Sequence, residues 1–413
     1  MTQPEDDAPA GHEVRLLITG GGTGGHVSPA LAVIQTIQEM KKSEGLDSSF
    51  LYVGSANGVE AGLVAAAGIP FKAVACGKLR RSKNPLAMLS WQNLTDLFRI
   101  PVGIIQALGL VLKFHPDAVL STGGYVSVPA ALAAAIAGIP ILAHEQTAQI
   151  GLGNKIVLRF AKRIALSFEL AEKDIPPMAR QKTVVTGNPI RAVVLTGDAA
   201  NAIKLYGFDD TDRDLPTVYV TGGAQGAHVI NEAVRQGMAD LLSFCRIIHQ
   251  CGKQPSQAVQ DLDSLKEKAE TLPEALKRRY AVTSFVGPEI GDVFALADVV
   301  VSRSGAGTVA EVAALGKAAV YVPLVPTGGD EQRKNARRFE DLGAAIVLDS
   351  STLTGVKLVE ALQPLLRDKS RVKAMGEAAH KMARPNAANA LSAELLILAG
   401  VTEESRTTPN PMA

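Results

Sequence analysis

The sequence is poor in cysteine, in aromatic residues and in any excess of charge of one sign. Its 413 residues include three cysteines, and aromatic residues make up 4%. Three cysteines are too few for a disulfide framework or a four-cysteine zinc site, so we expect a reducing compartment. The 42 Lys and Arg residues nearly balance 41 Asp and Glu residues, for a formal net charge of +1. No global positive field is available, and we therefore expect no nucleic acid among the partners.

Long apolar runs are also missing. The longest, residues 102–112, is interrupted by Gln106, whereas a membrane-spanning helix needs about 20 apolar residues. The first 13 residues are acidic, the reverse of the basic and then apolar order of a secretory signal. We therefore expect a disordered tail at residues 1–13 and no membrane-spanning segment. Hydrophobic residues at 47% and charged residues at 20% are typical of a soluble globular chain of two or three domains.

The sequence does contain a regular alternation of short β-branched runs with Ala- and Leu-rich amphipathic segments. This alternation predicts an α/β fold built from βα units around parallel sheets. The predicted strands of the first half are residues 14–19, 50–53, 118–120, 139–143, 164–167 and 183–185. Those of the second half are residues 217–221, 246–249, 281–286, 299–302, 319–322 and 345–348. Each half supplies enough strands for a sheet of its own. Residues 353–399 are predicted to form consecutive helices, broken near Pro385.

Two internal repeats indicate that the two halves are related domains. The segment ITGGGTGGH from Ile18 returns as VTGGAQGAH from Val220. The segment DAVLSTGGYVSVPAAL from Asp117 returns as DVVVSRSGAGTVAEVA from Asp298. Between the halves lies a stretch without clear strand periodicity that holds a run of acidic residues. We expect a first domain at residues 14–187, a solvated linker at 188–216 and a second domain at 217–384. Ligands are expected in the cleft between the domains.

The first glycine turn follows a strand and precedes a predicted helix at residues 29–40. Its Gly20, Gly22 and Gly25 satisfy G-x-G-x-x-G, a spacing that lets backbone amides approach a diphosphate at a helix start. Dinucleotide binding also requires an acidic residue at the end of the second strand, and residues 52–57 contain none. The sequence therefore disfavours a nicotinamide cofactor, and a tight turn without a ligand remains an alternative.

Polar side chains at the ends of two predicted strands are candidate catalytic groups. His26 directly follows the glycines, where an imidazole could take a proton from an attacking hydroxyl, cap the helix or bind a phosphate. His228 has the same place after the second glycine turn, so the sequence leaves these roles open. His144 and Glu145 end another strand, where they could orient a ligand or cap a helix. Their spacing matches no metal-binding motif, so we expect no metal ion.

The second half contains a further turn of small residues that begins a helix. Arg303 in this turn could neutralise a phosphate, and Glu311, one turn into the helix, could accept hydrogen bonds from ribose hydroxyls. Simple compensation of the helix dipole by Glu311 is the alternative. Farther on, Glu331, Gln332 and Asn335 are predicted to point polar groups toward one sugar-sized space. A solvated first helical turn is the alternative there.

A basic and apolar segment at residues 72–99 is a candidate membrane surface. Asp96 is its one acidic residue, against six Lys and Arg residues interleaved with large apolar side chains. At an anionic bilayer each basic residue contributes about 1 kcal/mol, and each inserted large apolar side chain roughly 1.5–3 kcal/mol. The expected membrane contacts are Arg80, Arg81, Leu86, Leu89 and Trp91. An ordinary core-facing helix with a solvated loop is the alternative, and residues 104–112 are expected to be core.

Seven motifs in a fixed order resemble the MurG family of bacterial N-acetylglucosamine transferases. They are GGGTGGH, STGGYVS, AHEQT, TGNPIR, TGGAQGA, SRSGAGTVAE and DEQRKNA, spread over about residues 14–400. The resemblance implies a GT-B fold, in which two Rossmann-like domains with parallel sheets face a central cleft. It implies that the second domain holds the nucleotide sugar and that the first meets membrane-anchored lipid I. It also implies that a final helix at residues 385–400 returns to the first domain, ahead of a tail at 401–413.

The resemblance also implies a donor site. Glu311 corresponds to the ribose-binding acid, the backbone of Val286 to the uracil contact and Gln332 to a sugar contact. Together with Arg303, the implied donor-binding residues are Thr23, Gly24, Gly25, Thr147, Arg191, Ala224, Val286, Ala306, Gly307, Thr308, Val309, Ala310, Glu311 and Gln332. Many members have Asn where Thr147 stands and Ser where Ala224 stands, so this chain lacks a side-chain amide and a hydroxyl at those positions.

The implied reaction is a single inverting displacement on UDP-N-acetylglucosamine. The 4-hydroxyl of lipid I attacks C1 of the donor, and the products are a β-1,4 bond and UDP. We expect His26 to be the base, with Glu145 and Tyr125 as orienting groups or alternative bases, and we expect no metal or other cofactor. The expected location is the cytoplasmic face of the cell membrane, as a peripheral protein of peptidoglycan synthesis, with other cell-wall synthesis and division proteins as further partners.

Three rival functions stay open at this point. One is a transferase acting on another membrane acceptor such as diacylglycerol, and another is an NAD-dependent dehydrogenase. The third is a non-catalytic protein that binds a nucleotide sugar or acts as a membrane scaffold.

Overall fold

A computed structural model describes residues 13–77, 91–147, 149–169, 175–253, 258–325 and 330–401. These residues form two parallel β-sheets flanked by helices, one sheet in each half of the chain. The expected α/β architecture is therefore confirmed, including a separate sheet for each half.

The first sheet has seven parallel strands in the order β3-β2-β1-β4-β5-β6-β7. The strands are β1 (Val14–Thr19), β2 (Ser48–Gly54), β3 (Phe71–Ala73), β4 (Ala118–Ser121), β5 (Ile141–Glu145), β6 (Arg163–Leu166) and β7 (Thr183–Val185). Its helices are α1 (Gly24–Glu44), α2 (Val59–Ala66), α3 (Trp91–Phe114), α4 (Ser127–Ile136) and α5 (Leu152–Val157), with a short 3-10 helix at Pro177–Lys182. The strand order reverses at β1 and β4, so the loops that follow these two strands open a crevice at the carboxyl edge of the sheet.

The second sheet has six parallel strands in the order β10-β9-β8-β11-β12-β13. They are β8 (Thr217–Thr221), β9 (Arg246–Gln250), β10 (Tyr280–Thr283), β11 (Val299–Ser302), β12 (Ala318–Tyr321) and β13 (Ala345–Val347). Helix α6 (Ala199–Tyr206) lies between the two sheets in the sequence. The helices around the second sheet are α7 (His228–Leu242), α8 (Ala258–Glu270), α9 (Glu274–Lys277), α10 (Ile290–Leu296), α11 (Ala306–Ala314), α12 (Glu331–Asp341), α13 (Gly355–Arg367) and α14 (Lys369–Lys381). The reversal at β8 and β11 repeats that of the first sheet.

Each sheet buries apolar side chains on both faces, as parallel sheets do. In β1, Leu17 packs into the core on one face, while Leu16 and Ile18 pack into the core on the other. In β8, Val218 faces one core and Tyr219 the opposite one. Because alternate residues of a strand point to opposite faces, near-continuous apolar runs are what such strands require.

The final helix, α15 (Ala387–Leu398), packs against the first sheet although it follows the second domain in sequence. Its Leu391 and Leu395 are fully buried in the core that contains Leu16. On its border, Arg163 Nε donates to Glu394 Oε2 at 2.8 Å. The chain therefore crosses between the domains a second time, after α14.

The segment at residues 188–216 is more structured than a solvated linker. It contains α6 and two 3-10 helices, Ala192–Leu195 and Asp210–Asp212. Phe208 is buried in the core that contains Tyr219, on one face of the second sheet. Asp212, part of the acidic run, is 4% exposed and bonds Arg278 and Arg279 at 2.9 Å each. The acidic run thus attaches this segment to the second domain, because the arginines that receive it lie on the turn after α9.

Three other elements differ from the sequence-based expectations. Strand β3 was not predicted, since it is a three-residue edge strand with half-exposed and exposed side chains. Helix α1 begins at Gly24 rather than Pro29, because its two leading glycines are poor helix formers and hide the start. Part of the run expected to be core is exposed: Ile105 on α3 is 72% exposed, whereas Ala107 and Val111 are buried. Among the described helices, none has the length and apolar character needed to cross a bilayer.

Candidate active site between the two domains

The first glycine turn lies between β1 and α1 and is closely packed on three sides. A Cβ on Gly20 would lie 1.9 Å from Thr122 Oγ1, so no larger residue fits there. Gly22 has φ +83°, a conformation that favours glycine, and a Cβ on it would lie 2.8 Å from the ring of Tyr125. Tyr125, one of the expected orienting residues, therefore stands directly beside this turn.

A buried glutamate occupies the inner side of the same turn. Glu60, the second residue of α2, is 0% exposed. Its Oε2 accepts a hydrogen bond from Gly22 N at 3.0 Å, and its Oε1 accepts one from Ser55 N at 3.0 Å. We expected the amides of this turn to approach a diphosphate, and the structure corrects this for Gly22, whose N–H is bonded to a carboxylate of the protein. No sequence motif indicated Glu60, because Gly22 and Glu60 are 38 residues apart in the chain.

His26 lies in the first turn of α1, where the cleft begins. Its Nδ1 lies 2.9 Å from Thr23 Oγ1, and its carbonyl accepts a hydrogen bond from Thr122 Oγ1 at 2.7 Å. Burial lowers the pKa of His26 to about 4, against a smaller opposing effect of the Glu60 charge. The imidazole is therefore neutral at pH 7 and can accept a proton.

Glu145 lies at the end of β5 and is 4% exposed. Its carboxylate accepts hydrogen bonds from Thr147 N and Oγ1, from Gly151 N at 2.8 Å and from Asn154 Nδ2 at 2.9 Å. Thr147, expected among the donor contacts, is thus bonded to Glu145. These bonds assign Glu145 to holding the loop between β5 and α5.

His144 joins the first domain to the point where the chain leaves it. It is fully buried, with Nε2 3.1 Å from the carbonyl of Gly187 and Nδ1 3.1 Å from Gln146 Nε2. Burial lowers the pKa of His144 to about 4, so it is neutral at pH 7. Nε2–H then donates to Gly187 and Nδ1 accepts from Gln146.

Arg191 and Glu311 form a bidentate ion pair. Arg191 Nε donates to Glu311 Oε1 at 2.7 Å, and Nη2 donates to Oε2 at 3.0 Å. Arg191 follows the first domain, whereas Glu311 lies on α11 of the second, with its side chain 10% exposed. The structure thus brings together two residues expected at the nucleotide, but both carboxylate oxygens of the expected ribose acid are already bonded.

The start of α11 has the features of an anion site. Its N-cap residue, Gly305, provides no side-chain cap, and its first turn contains no acidic residue. The amides of Ala306, Gly307 and Thr308 lie in this first turn, where helix N–H groups have no partner within the helix. Val309 is buried in the core that contains Tyr219, and Ala310 is half-buried. Helix α1, which carries His26, packs against α11.

The polar cluster expected to face a sugar is arranged differently. Asn335 is 1% exposed, and its Nδ2 donates to the carbonyl of Ser304 at 3.1 Å. Ser304 Oγ donates to the carbonyl of Gln332 at 2.7 Å. Asn335 therefore fastens α12 to the turn before α11 and does not face a sugar. Gln332 is half-buried, and its Oε1 accepts from Leu324 N at 2.9 Å.

The remaining donor-site candidates lie at the carboxyl edge of the second sheet. Arg303 Nη1 donates to the carbonyl of Val322 at 2.9 Å, and burial lowers its pKa. Val286 N donates to Gln250 Oε1 at 2.8 Å, so the N–H of the expected uracil contact is bonded within the protein. Gln250 Nε2 also donates to the carbonyl of Gly223 at 2.9 Å. Gln250 thus connects the second glycine turn, which contains Ala224, to the segment with Val286, a link that no local sequence pattern indicated.

The two domains also touch beside the cleft. Lys334 on α12 donates to Gln149 of the first domain, and Arg338 Nη1 donates to the carbonyl of Glu169 at 3.1 Å.

Within the described ranges, no group of three or more His, Cys, Asp and Glu side chains could hold a metal ion. The three cysteines are free thiols. Of the expected membrane contacts, Arg80, Arg81, Leu86 and Leu89 lie outside the described residues, as does the side chain of Trp91.

Comparison with known proteins defines the class first. Residues 16–166 match the glycosyltransferase family 28 N-terminal domain, and residues 217–391 match the glycosyltransferase family 28 C-terminal domain. The crystal structure of Acinetobacter baumannii MurG superposes with a TM-score of 0.68 and 28% identity, covering 93% of this chain and 99% of that one. The chain is a glycosyltransferase with the expected GT-B fold.

Similar curated proteins then identify the family. A Halothermothrix orenii protein is 37% identical over 380 residues, which is 92% of this chain and 97% of that protein. A Legionella pneumophila protein is 36% identical over 358 residues, covering 86% of this chain and 90% of that protein. Both are named UDP-N-acetylglucosamine–N-acetylmuramyl-(pentapeptide) pyrophosphoryl-undecaprenol N-acetylglucosamine transferase. The chain belongs to this family, the MurG family, which confirms the resemblance seen in its motifs.

Proposed function

We propose that this chain transfers N-acetylglucosamine from UDP-N-acetylglucosamine to the 4-hydroxyl of lipid I, forming lipid II. Family membership over nearly the whole chain supports this reaction and does not favour diacylglycerol as the acceptor. The observation that carries the proposal is the packing of α1 against α11. The first of these helices carries the neutral imidazole of His26 in its first turn, and the second begins without a side-chain cap. A proton acceptor and an anion-binding helix start are the groups that a sugar transfer needs, which supports the proposal.

The donor is proposed to bind along the start of α11. The amides of this turn bind the diphosphate, since the helix dipole favours negative charge there. In this proposal Glu311 exchanges the hydrogen bonds from Arg191 for hydrogen bonds from the ribose hydroxyls. Arg191 then turns to the diphosphate, where an arginine can form charge-assisted bonds with phosphate oxygens. Gln332, Thr23 and the backbone at Val286 and Ala224 complete the site as the family's motifs imply.

His26 is proposed to be the general base. For its Nε2 to accept a proton, the Nδ1 hydrogen must be present and donate to Thr23 Oγ1, which lies 2.9 Å away. His26 removes the proton as the acceptor oxygen forms its bond to C1 of the sugar. The bond between C1 and the diphosphate oxygen breaks at the same time, and UDP leaves with the electron pair. A single displacement of this kind inverts the α-linked donor to a β product.

The chain's own groups are proposed to stabilise the leaving diphosphate, with no bound metal ion. The α11 amides are held by the fold before the reaction, so they need no reorganisation as charge develops, and Arg191 joins them when the donor binds. One preorganised donor of this type is typically worth about 3 kcal/mol of barrier. Glu145 contributes by holding the loop that follows β5, and Tyr125 by packing beside the glycine turn.

The first domain is proposed to face the cytoplasmic side of the membrane as a peripheral protein. Helix α3, which continues the basic and apolar segment, exposes Phe98 by 69%, Val102 by 50%, Ile105 by 72% and Leu112 by 56%. Their spacing places them on one face of the helix. An apolar stripe on a surface marks an interaction site, and lipid I is anchored in a bilayer. Other cell-wall synthesis and division proteins are proposed as further partners.

A transfer assay tests the reaction and the base together. With labelled UDP-N-acetylglucosamine, label should pass to lipid I and not to diacylglycerol. Replacement His26→Ala should lower kcat by a factor of about 10² to 10⁴, the usual contribution of a general base. His228→Ala is the matched control, since His228 follows the other glycine turn and bonds Asp261 at 2.7 Å. Wild-type turnover of the His26 variant would show that the base is another group.

A further inference from the structure

Glu60 is a buried carboxylate that the reaction described above does not use. Besides the amides of Gly22 and Ser55, Ser55 Oγ donates to its Oε1. It also lies in the first turn of α2, where the helix dipole favours an acidic side chain. Within the described part of the chain, no Lys or Arg side chain pairs with it. These contacts stabilise a negative charge directly beneath the glycine turn.

Several glycines leave the space that Glu60 occupies. A Cβ on Gly21 would lie 2.5 Å from Glu60 Cδ, and one on Gly58 would lie 2.3 Å from it. On the third side, a Cβ on Gly54 would lie 2.9 Å from Glu60 Cγ. The turn after β1 and the loop between β2 and α2 are thus both shaped around one side chain. A carboxylate held this closely has a position as well defined as that of the turn itself.

The other titratable groups around the turn are uncharged at pH 7. Burial and the Glu60 charge raise the pKa of Tyr52 and raise that of Cys76 to about 12. His144, on β5, is neutral because burial lowers its pKa to about 4. The ring of Tyr125 lies beside Gly22, on the glycine turn itself. Glu60 is the charge that acts on the pKa of His26, in the direction that favours its protonated form, whereas Glu311 of the neighbouring helix α11 is paired with Arg191.

We propose that Glu60 is a positioning residue for the transfer: it fixes the glycine turn and supplies the negative charge that stabilises the imidazolium form of His26. This inference rests on the proposed role of His26 as the base. A half-buried imidazole is a weaker base than a solvated one, since burial penalises its charged form. When it takes the proton of the acceptor hydroxyl, a positive charge appears on a group that is partly shielded from water. A fixed carboxylate nearby offsets that cost during the reaction.

The decisive variant is Glu60→Gln, which keeps the size of the side chain and removes its charge. With histidine labelled by ¹³C, the His26 signal should begin to shift toward the protonated form at a lower pH than in the wild type. In the transfer assay, kcat should fall about tenfold or more, while KM for UDP-N-acetylglucosamine should change less than about twofold. Glu60→Asp, which keeps the charge, should recover part of kcat.

Glu394→Gln is the matched control. It removes a carboxylate from the same domain, one that pairs with Arg163 on the border of α15. It should leave the His26 titration and kcat unchanged. The same His26 titration in the wild type and in folded Glu60→Gln would overturn the inference. It would also be overturned if Glu60→Asp recovered none of the kcat that Glu60→Gln loses.

A second variant covers the case in which Glu60→Gln does not fold. Ser55→Ala removes one hydrogen bond to the carboxylate but keeps its charge and the bond from Ser55 N. The less neutralised carboxylate should raise the pKa of His26, and an unchanged or lowered value would contradict the proposal. The titration is made without substrates, so its outcome is independent of the transfer reaction. Wild-type turnover in His26→Ala would instead overturn the proposed base and leave the titration result standing.

Discussion

Buried neutral histidines link the stability of this protein to pH at the scale of single residues. His249 on β9 is fully buried, with Nδ1 2.8 Å from the Tyr280 hydroxyl and Nε2 3.0 Å from Asn231 Oδ1. Burial lowers the pKa of His249 to about 3. Since the unfolded chain binds this proton near pH 6.5, the stability that the neutral form contributes is complete above that pH. It is lost as the pH falls toward the folded-state value.

We therefore predict that His249→Gln has a flatter pH dependence of stability than the wild type. One buried neutral histidine contributes a slope of about 1.4 kcal/mol per pH unit between the unfolded and folded pKa values. The glutamine amide can replace both hydrogen bonds without taking up a proton. Calorimetric unfolding of both proteins between pH 7 and pH 4 measures the difference. Parallel curves would mean that folding does not lower the pKa of His249.

At the scale of elements, the ion pair between Arg191 and Glu311 of α11 is predicted to compete with the nucleotide. We predict that Arg191→Gln weakens binding of UDP about tenfold or more, because a charge-assisted bond to the diphosphate is lost. Uridine, which has no phosphate, should bind equally well or more tightly, because Glu311 no longer has to exchange a partner. Titration calorimetry with both ligands tests this, with Arg235→Gln as the control, since Arg235 pairs with Glu232 on α7. Equal losses for both ligands would exclude the exchange.

Helix α15 is predicted to stabilise the first domain although it follows the second in the chain. Leu395 is fully buried against the first sheet, and Ile397, two residues on, is 60% exposed. Leu395→Ala should cost about 2–5 kcal/mol, whereas Ile397→Ala should change stability by less than about 0.5 kcal/mol. Thermal unfolding followed by circular dichroism measures both variants against the wild type. An unchanged transition in Leu395→Ala would place α15 outside the cooperative unit of the first domain.

At the scale of the whole molecule, the exposed face of α3 is predicted to bind bilayers. Phe98→Glu together with Ile105→Glu should lower binding to anionic vesicles about tenfold or more, since each large apolar side chain contributes roughly 1.5–3 kcal/mol on insertion. Val356→Glu is the control, because Val356 is 65% exposed on the second domain. Sedimentation with vesicles measures binding, and UDP affinity should stay unchanged. Equal vesicle binding by all three proteins would remove α3 from the membrane surface.

How far the sequence predicts this molecule depends on how local each signal is. Strands such as Val14–Thr19 and Val299–Ser302 were predicted within their observed bounds, because a buried parallel strand is a continuous apolar run. The glycine turns and the helix start at Ala306 also have local patterns. The contacts of Glu60 and the pair of Arg191 with Glu311 had none, since they join residues that only the folded sheets bring together.

The route of the chain between the domains has a mechanical consequence. A Cβ on Gly187, where the chain leaves the first domain, would lie 2.4 Å from Cβ of Arg384, where the chain returns to it. Two connections that touch at one point can act as a single hinge between the domains. Bending the domains toward each other about this hinge strains neither connection, whereas rotating one domain about the axis that joins them would shear both. Opening and closing around the sugar nucleotide is therefore the motion that this layout permits.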